Sequence, residues 1–300
     1  MSVLIAIIGY TLLAGVFILD KFILTKSVPK PAVYTFYSTV FLLFAVGALP
    51  FGGGFLGSYE DWLVAGLSGI TFGIGLFTIF IAVKRGEASH VNPYSGAVIT
   101  ITTFFIARVI LGETLSYTQQ MGIVILVAAS ILLSYEKVER PHGIYRSFFW
   151  ATVSGVAFAV SHTSAKYLYD LYPFVTAFVW TRVPTGIFAL PFFLLPSVRA
   201  TFVKKRKAKR SFARQHAIGI VITTKICAVI ATILIQYAIA IGSASVVTAL
   251  SGLQFTLMFV MILLLTRLAP RVFREYFTKK ELIVQSIAII LVVLGSALVV

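Results

Sequence analysis

Ten apolar stretches, each close to the roughly 20 residues that a helix needs to cross a hydrocarbon core about 30 Å thick, take up most of this 300-residue sequence. Their approximate limits are 2 to 24, 32 to 50, 62 to 83, 89 to 111, 118 to 135, 147 to 169, 173 to 195, 215 to 240, 244 to 266 and 281 to 300. The longest connections, 196 to 214 and 267 to 280, are too short for an extramembrane domain. With 59 % apolar residues, 12 % charged residues and a mean hydropathy of +0.98, a soluble globular enzyme is excluded. Pro29, Pro31, Pro50, Pro141, Pro173, Pro196 and Pro270 fall at or near the ends of these stretches, where a missing amide donor costs little. Pro93 and Pro184 fall inside them and predict local kinks. The first stretch lacks a basic segment before it and a small-residue cleavage pattern after it, so it reads as a retained span. The single cysteine, Cys227, has no partner for a disulfide and no neighbours at metal-ligand spacing. No metal site and no cofactor are expected.

The chain repeats itself. A shift of 156 residues places Ala82, Gly86, Ala88, Ser89, Val91, Ser95 and Gly96 on Ala238, Gly242, Ala244, Ser245, Val247, Ser251 and Gly252. A shift of 145 sets Asp20-Lys21 on Ala165-Lys166 and Pro29 to Tyr37 on Phe174 to Arg182. The repeating unit is therefore five helices, residues 1 to 140 and 141 to 300. Five is odd, so the second copy enters the membrane from the opposite side. The expected fold is an all-α integral membrane protein of ten transmembrane helices in two inverted five-helix repeats, an architecture of secondary transporters.

Four basic residues lie within the spans: Arg108, Lys166, Arg182 and Lys225. A charge at the centre of a lipid-facing helix costs roughly 2.5 to 3.5 kcal/mol, which favours a protein interior or a wet cavity. Thr232 at i+7 and Gln236 at i+11 return within about 20° of the helical face that carries Lys225, giving a polar stripe suited to a cavity wall. The alternative is a structural hydrogen bond from Lys225 to backbone carbonyls. Arg182 shares its face with Thr185, Gly186 and Ala189, and His162 pairs at i, i+4 with Lys166, with Tyr169 a turn further on. Small and polar residues, among them Tyr94 and Thr100 in the fourth span and Ser245 and Thr248 in the ninth, either line the same cavity or serve close helix packing. Gly66, Gly69 and Gly73 read as a packing seam, and Arg108 as snorkelling toward Glu113. Asp20, Glu87, Glu113 and Asp170 sit at helix boundaries with no acid at mid-depth, so a carrier of lipophilic cations is disfavoured. Candidate substrate-binding residues are Lys225, Arg182, His162, Lys166, Thr232, Gln236, Tyr94, Thr100, Ser245 and Thr248, facing an anionic or zwitterionic solute. No carboxylate pair, Ser/His/Asp set or metal cluster suggests an enzyme.

The turn Gly86-Glu87-Ala88-Ser89, its copy Gly242-Ser243-Ala244-Ser245, and the segment Leu111-Gly112-Glu113-Thr114-Leu115 resemble the helix junctions of EamA-type repeats in the drug/metabolite transporter superfamily. Lys166 and Arg182 match a Lys late in the first helix and an Arg in the second helix of a repeat. In the first repeat Lys21 matches and Tyr37 stands in place of the Arg. Leu265-Thr266-Arg267-Leu268 departs from the pattern by lacking the Gly-Glu pair. The resemblance implies spans one to four and six to nine around a central cavity, with spans five and ten peripheral. It implies transport of a small anionic or zwitterionic metabolite (an amino acid, organic acid or sugar phosphate) by alternating access. Two other readings stay open: a flippase for a lipid-linked sugar or phosphate, and a membrane scaffold or sensor without flux.

Of the 25 basic residues, 21 fall in the odd connections and helix ends, and the even connections hold none. The positive-inside rule then predicts a multi-pass protein of the cell membrane with both termini on the non-cytoplasmic side. Many EamA-type relatives have their termini inside, so the resemblance points the other way. The run Lys204 to Arg210 suits anionic lipid headgroups and topology anchoring rather than nucleic acid, and residues 267 to 280 suit an interfacial amphipathic helix. A small-molecule substrate is the expected partner, and the chain reads as a monomer or a homodimer.

Overall fold

The computed structural model describes residues 1–22, 30–86, 88–134, 141–203, 217–268 and 279–299, and these form helices joined by short turns. Glu87, Lys204 to Arg210 and residues 269 to 278, and with them the lipid-binding run and most of the expected interfacial helix, lie outside the described residues.

Helix α1 spans Ser2–Phe22, and α2 spans Pro31–Thr39 with Pro31 in its first turn. A 3₁₀ segment, Val40–Phe51, continues α2 until Gly52, whose φ of +103° is a left-handed turn natural to glycine. Helix α3, Tyr59–Arg85, is capped by the Ser58 hydroxyl accepting from the Asp61 amide. After α4, Ala88–Ile110, a reciprocal capping box of Ser116 and Gln119 starts α5, Tyr117–Leu133. Then come α6, Pro141–Leu171; α7, Phe174–Ala189, extended by the 3₁₀ turn Leu190–Leu194; and α8, Pro196–Val203. The remaining helices are α9, Ala217–Ile241; α10, Ala244–Ala249; α11, Ser251–Leu268; and α12, Lys279–Val299. The stretch 244 to 266, expected as one helix, is thus two, interrupted at Leu250. Pro93 and Pro184 lie inside continuous helices.

Among the described residues, eight segments are long and apolar enough to cross a membrane. The two other expected spans are a 17-residue helix, α5, and α6, which is long but rich in serine. The serines of α6 explain its lower hydropathy. Ser147 donates to the Ala82 carbonyl at 2.8 Å and Ser154 to the Gly75 carbonyl at 2.9 Å, while Ser68 of α3 donates to the Ser161 carbonyl at 2.9 Å. Both sets recur every seven residues, so α3 and α6 run antiparallel, joined by a ladder of buried hydrogen bonds. Elsewhere glycine sets the spacing. A Cβ on Gly122 would lie 2.9 Å from the Gly295 carbonyl, bringing α5 against α12 backbone to backbone. One on Gly69 would lie 2.6 Å from the Thr181 carbonyl, and one on Gly9 2.8 Å from Ile235, which seats α3 on α7 and α1 on α9. Of the expected glycine seam, Gly69 and Gly73 are in close contact with α7, and Gly66 faces open space.

Alanine and aliphatic residues of α1, α5, α9, α10, α11 and α12 make the largest apolar core, and a second core gathers Tyr34, Ile79, Phe80 and Val83. Large apolar side chains such as Leu4, Phe105, Val109, Val229 and Ile290 are exposed on the outer surface, as lipid-facing residues are in a multi-pass membrane protein.

Candidate functional site

Lys225, Thr232 and Gln236 share one face of α9, yet they join different clusters. Lys225 donates to the Tyr34 hydroxyl at 2.8 Å and lies 3.6 Å from the Asp20 carboxylate, with the Tyr34 hydroxyl hydrogen-bonded to that carboxylate in turn. Asp20 is 8 % exposed. The expected boundary acid is therefore turned inward and offsets the charge of Lys225. Thr232 only returns its hydroxyl to the Ala228 carbonyl in its own helix.

Gln236 lies about 16 Å farther along the same helix face, taking 1.5 Å per residue. Its carboxamide oxygen accepts from the Tyr169 hydroxyl at 3.0 Å, and its nitrogen lies 3.0 Å from His162 Nδ1. His162 and Tyr169 are one face of α6 at a seven-residue spacing, so a single glutamine bridges both. Phe72 and Phe158 enclose the imidazole, the second stacked at 6.1 Å.

Arg182, from α7, completes this cluster. It is fully buried, with its guanidinium carbon 4.2 Å over the Phe72 ring and 5.8 Å from Phe178. Tyr169 and His162 are near enough to feel its charge. None of its three side-chain nitrogens meets hydrogen-bond geometry with any described residue. The Tyr169 hydroxyl is a neutral polar group that interacts with it. A buried charge without an opposite charge is costly, and a carboxylate or phosphate matches its planar fork.

Aromatic rings pack beside Arg182. Phe174 packs on Tyr169, Phe178 and Tyr237 at centroid distances of 5.4, 5.4 and 5.1 Å. Beyond them the turn after Gly52 is pinned across the start of α7. Trp180 donates to the Gly54 carbonyl at 2.8 Å, Gly54 donates to the Thr176 hydroxyl at 2.9 Å, and the Tyr172 hydroxyl donates to Asp61 at 2.6 Å. That hydrogen bond to the carboxylate raises the Tyr172 phenol above its ordinary pKa.

The other candidates do not converge on this cluster. Lys166 bridges Asp170 at 2.8 Å and the Ala240 carbonyl at 3.2 Å, tying the ends of α6 and α9 together. Tyr94 pairs with Thr152 at 3.1 Å, and Thr100 reaches the Thr248 carbonyl at 3.2 Å, joining α4 to α10. The Thr248 hydroxyl caps its own turn. Ser245 meets Glu113, whose carboxylate also accepts from the Ala244 and Ser245 amides at 2.8 and 3.3 Å. Glu113 thus caps α10 rather than serving Arg108, although both line a cavity of about 310 Å³ with Gly112 and Gln120. The inward-facing Asp20, Tyr34 and Phe72 carried no sequence signal beyond their residue type. Among the described residues no group of three His, Cys, Asp or Glu side chains could hold a metal ion.

Neither protein-family models nor curated proteins match this sequence. The fold itself is shared: 29 chains of solved structures are similar. One, titled "Crystal structure of protein", superposes with a TM-score of 0.68 over 99 % of this chain and 97 % of its own, at 16 % identity. The likeness extends over both chains almost end to end, so the arrangement of helices is shared along nearly their full length.

Proposed function

We propose that this chain is a secondary transporter that carries a small anionic or zwitterionic metabolite by alternating access. The observation that carries the reading is Arg182, buried between α3, α6 and α7 with the neutral Tyr169 hydroxyl for company and, among the described residues, no acid beside it. A carboxylate or phosphate would supply the missing negative charge, and His162, Gln236 and Tyr169 would flank it. Lys225 is a weaker candidate for that role because Asp20 already answers its charge.

The pairing of helices supports two inverted repeats, residues 1 to 140 and 141 to 300. If α1 to α5 are matched in order with α6, α7, α9, α10–α11 and α12, the pair α1 with α9 becomes α6 with α3, and both pairs pack closely. The pairs α2–α7, α4–α10 and α5–α12 map onto themselves, as a two-fold axis requires. This agrees with the internal sequence identities and with the EamA-type resemblance of the drug/metabolite transporter superfamily, in which ten helices cross the cell membrane.

Counterflow in liposomes with amino acids, organic acids and sugar phosphates tests the reading on the parent protein and on Arg182→Ala. Exchange of an anionic or zwitterionic solute that Arg182→Ala abolishes, in protein of unchanged thermal unfolding, is expected. Equal exchange by both proteins, or a preference for lipophilic cations, would overturn it.

A further inference from the structure

Where α4 ends, a cavity of about 310 Å³ opens that takes no part in the Arg182 site. Arg108 lines it from the last turn of α4, Gly112 to Leu115 from the connection, and Gln120 from α5. Gly112, at a φ of +64°, reverses the chain, and the Glu113 amide returns to the Ala107 carbonyl at 3.2 Å. Glu113 is thereby folded back against the turn that carries Arg108. Its carboxylate is fixed there by the Ala244 and Ser245 amides at 2.8 and 3.3 Å and by the Ser245 hydroxyl. Arg108 is exposed and, among the described residues, its guanidinium makes no ion pair. The other cation near this end, Lys166, reaches the Ala240 carbonyl one turn before α10 and is already paired with Asp170 at 2.8 Å. A carboxylate held in place and a guanidinium left free thus share one small cavity. Phe105, Val109 and Ile110 at the same end of α4, and Tyr117 at the start of α5, are exposed, which sets the cavity beside the hydrocarbon edge.

We propose that this cavity binds the headgroup of a zwitterionic phospholipid with a primary amine, a phosphatidylethanolamine, its phosphodiester on Arg108 and its ammonium toward Glu113. The guanidinium fork matches two phosphate oxygens at once. A headgroup without net charge suits a cavity whose own two charges cancel. An anionic glycerol headgroup would meet the Glu113 carboxylate as a like charge. A choline headgroup offers the same phosphate, but its quaternary ammonium has no N–H to donate. The volume is at the small end of the roughly 300 to 1,000 Å³ that ligand sites occupy, enough for a headgroup and not for a whole lipid. The acyl chains would lie outside, along the exposed Phe105, Val109 and Ile110. The proposal does not depend on the transport reading and uses none of its residues.

Native mass spectrometry of the delipidated full-length protein, titrated with phosphatidylethanolamine, phosphatidylcholine and phosphatidylglycerol of matched acyl chains, reads the adducts directly. Phosphatidylethanolamine should be retained roughly tenfold more tightly than the other two. Arg108→Met keeps an apolar stem at an exposed position and should lower that retention roughly tenfold. Glu113→Gln keeps a capping acceptor, removes the negative charge, and should abolish the preference over phosphatidylglycerol. If Glu113→Gln fails to fold, the headgroup preference of the parent and the Arg108→Met comparison still decide. Equal adducts on the parent and on Arg108→Met, or phosphatidylglycerol retained by the parent as well as phosphatidylethanolamine, overturn the proposal. Phosphoethanolamine without acyl chains, added at the concentration of the lipid, should displace nothing. Clearance of the adduct by it would make the ligand a soluble phosphate ester and overturn the lipid.

Discussion

Arginine is the one basic side chain that does not escape burial by losing its proton, so a fully buried guanidinium with only a neutral hydroxyl beside it needs an anion more than a lysine in the same place would. Stacking on Phe72 occupies a face of the guanidinium and not its donor edge. Arg182→Lys keeps the charge but not the planar fork, and a charge-assisted pair is worth about 1.5 to 3 kcal/mol. Apparent substrate affinity in liposomes should therefore fall roughly ten- to a hundredfold, with the folded protein retained. Gln236→Met removes the bridge between Tyr169 and His162 and leaves both without their partner. Its expected cost is about 1 to 3 kcal/mol of stability, read as a lower unfolding temperature in detergent. Spacing alone placed Lys225 and Gln236 on one face of a helix, and that much was legible in the sequence. It could not show that Asp20 would turn inward to meet the lysine, because a partner's direction depends on packing between helices distant in sequence.

Helix by helix, the sequence made lengths and boundaries readable and concealed the joints. The ladder between α3 and α6 is built from Ser147 and Ser154, whose seven-residue spacing is their one signal in the sequence, and from Ser68, which carries none. Hydrogen bonds of this kind in membrane helices average about 0.6 kcal/mol, so Ser154→Ala should be mild. Gly122→Val should be worse, at roughly 1 to 3 kcal/mol for overpacking. Its neighbour is the Gly295 backbone at 2.9 Å, which no rotamer change can move aside, and α5 must shift away from α12. Comparing the two variants by thermal unfolding in one detergent tests this order. Glu113 illustrates the opposite case, a recognisable motif whose geometry was hidden. Leu111-Gly112-Glu113 is conspicuous in the sequence, but only the fold shows its carboxylate capping α10 across the molecule. Glu113→Ala should cost about 1 to 2 kcal/mol, as the loss of a helix cap with its charge does.

At the scale of the whole molecule, the charge pattern and the fold have to agree on a direction through the membrane. The even-numbered connections carry Glu60, Asp61, Glu113 and Asp170, and the basic residues lie in the odd ones. Moving loops with this many cations to the outer side would oppose the bias that sets orientation during insertion. The charge bias predicts that both ends of the chain face outward, with the turn at Gly54, pinned to α7, on the outer side. The single cysteine makes the orientation simple to test. In a Cys227→Ser background, Tyr117→Cys and Arg85→Cys place one thiol on an exposed residue of an even and an odd connection respectively. A membrane-impermeant maleimide added to intact cells should label Tyr117→Cys at once and Arg85→Cys only after permeabilisation. The reverse pattern would put the termini and the pinned turn on the cytoplasmic side and the basic connections on the outer side.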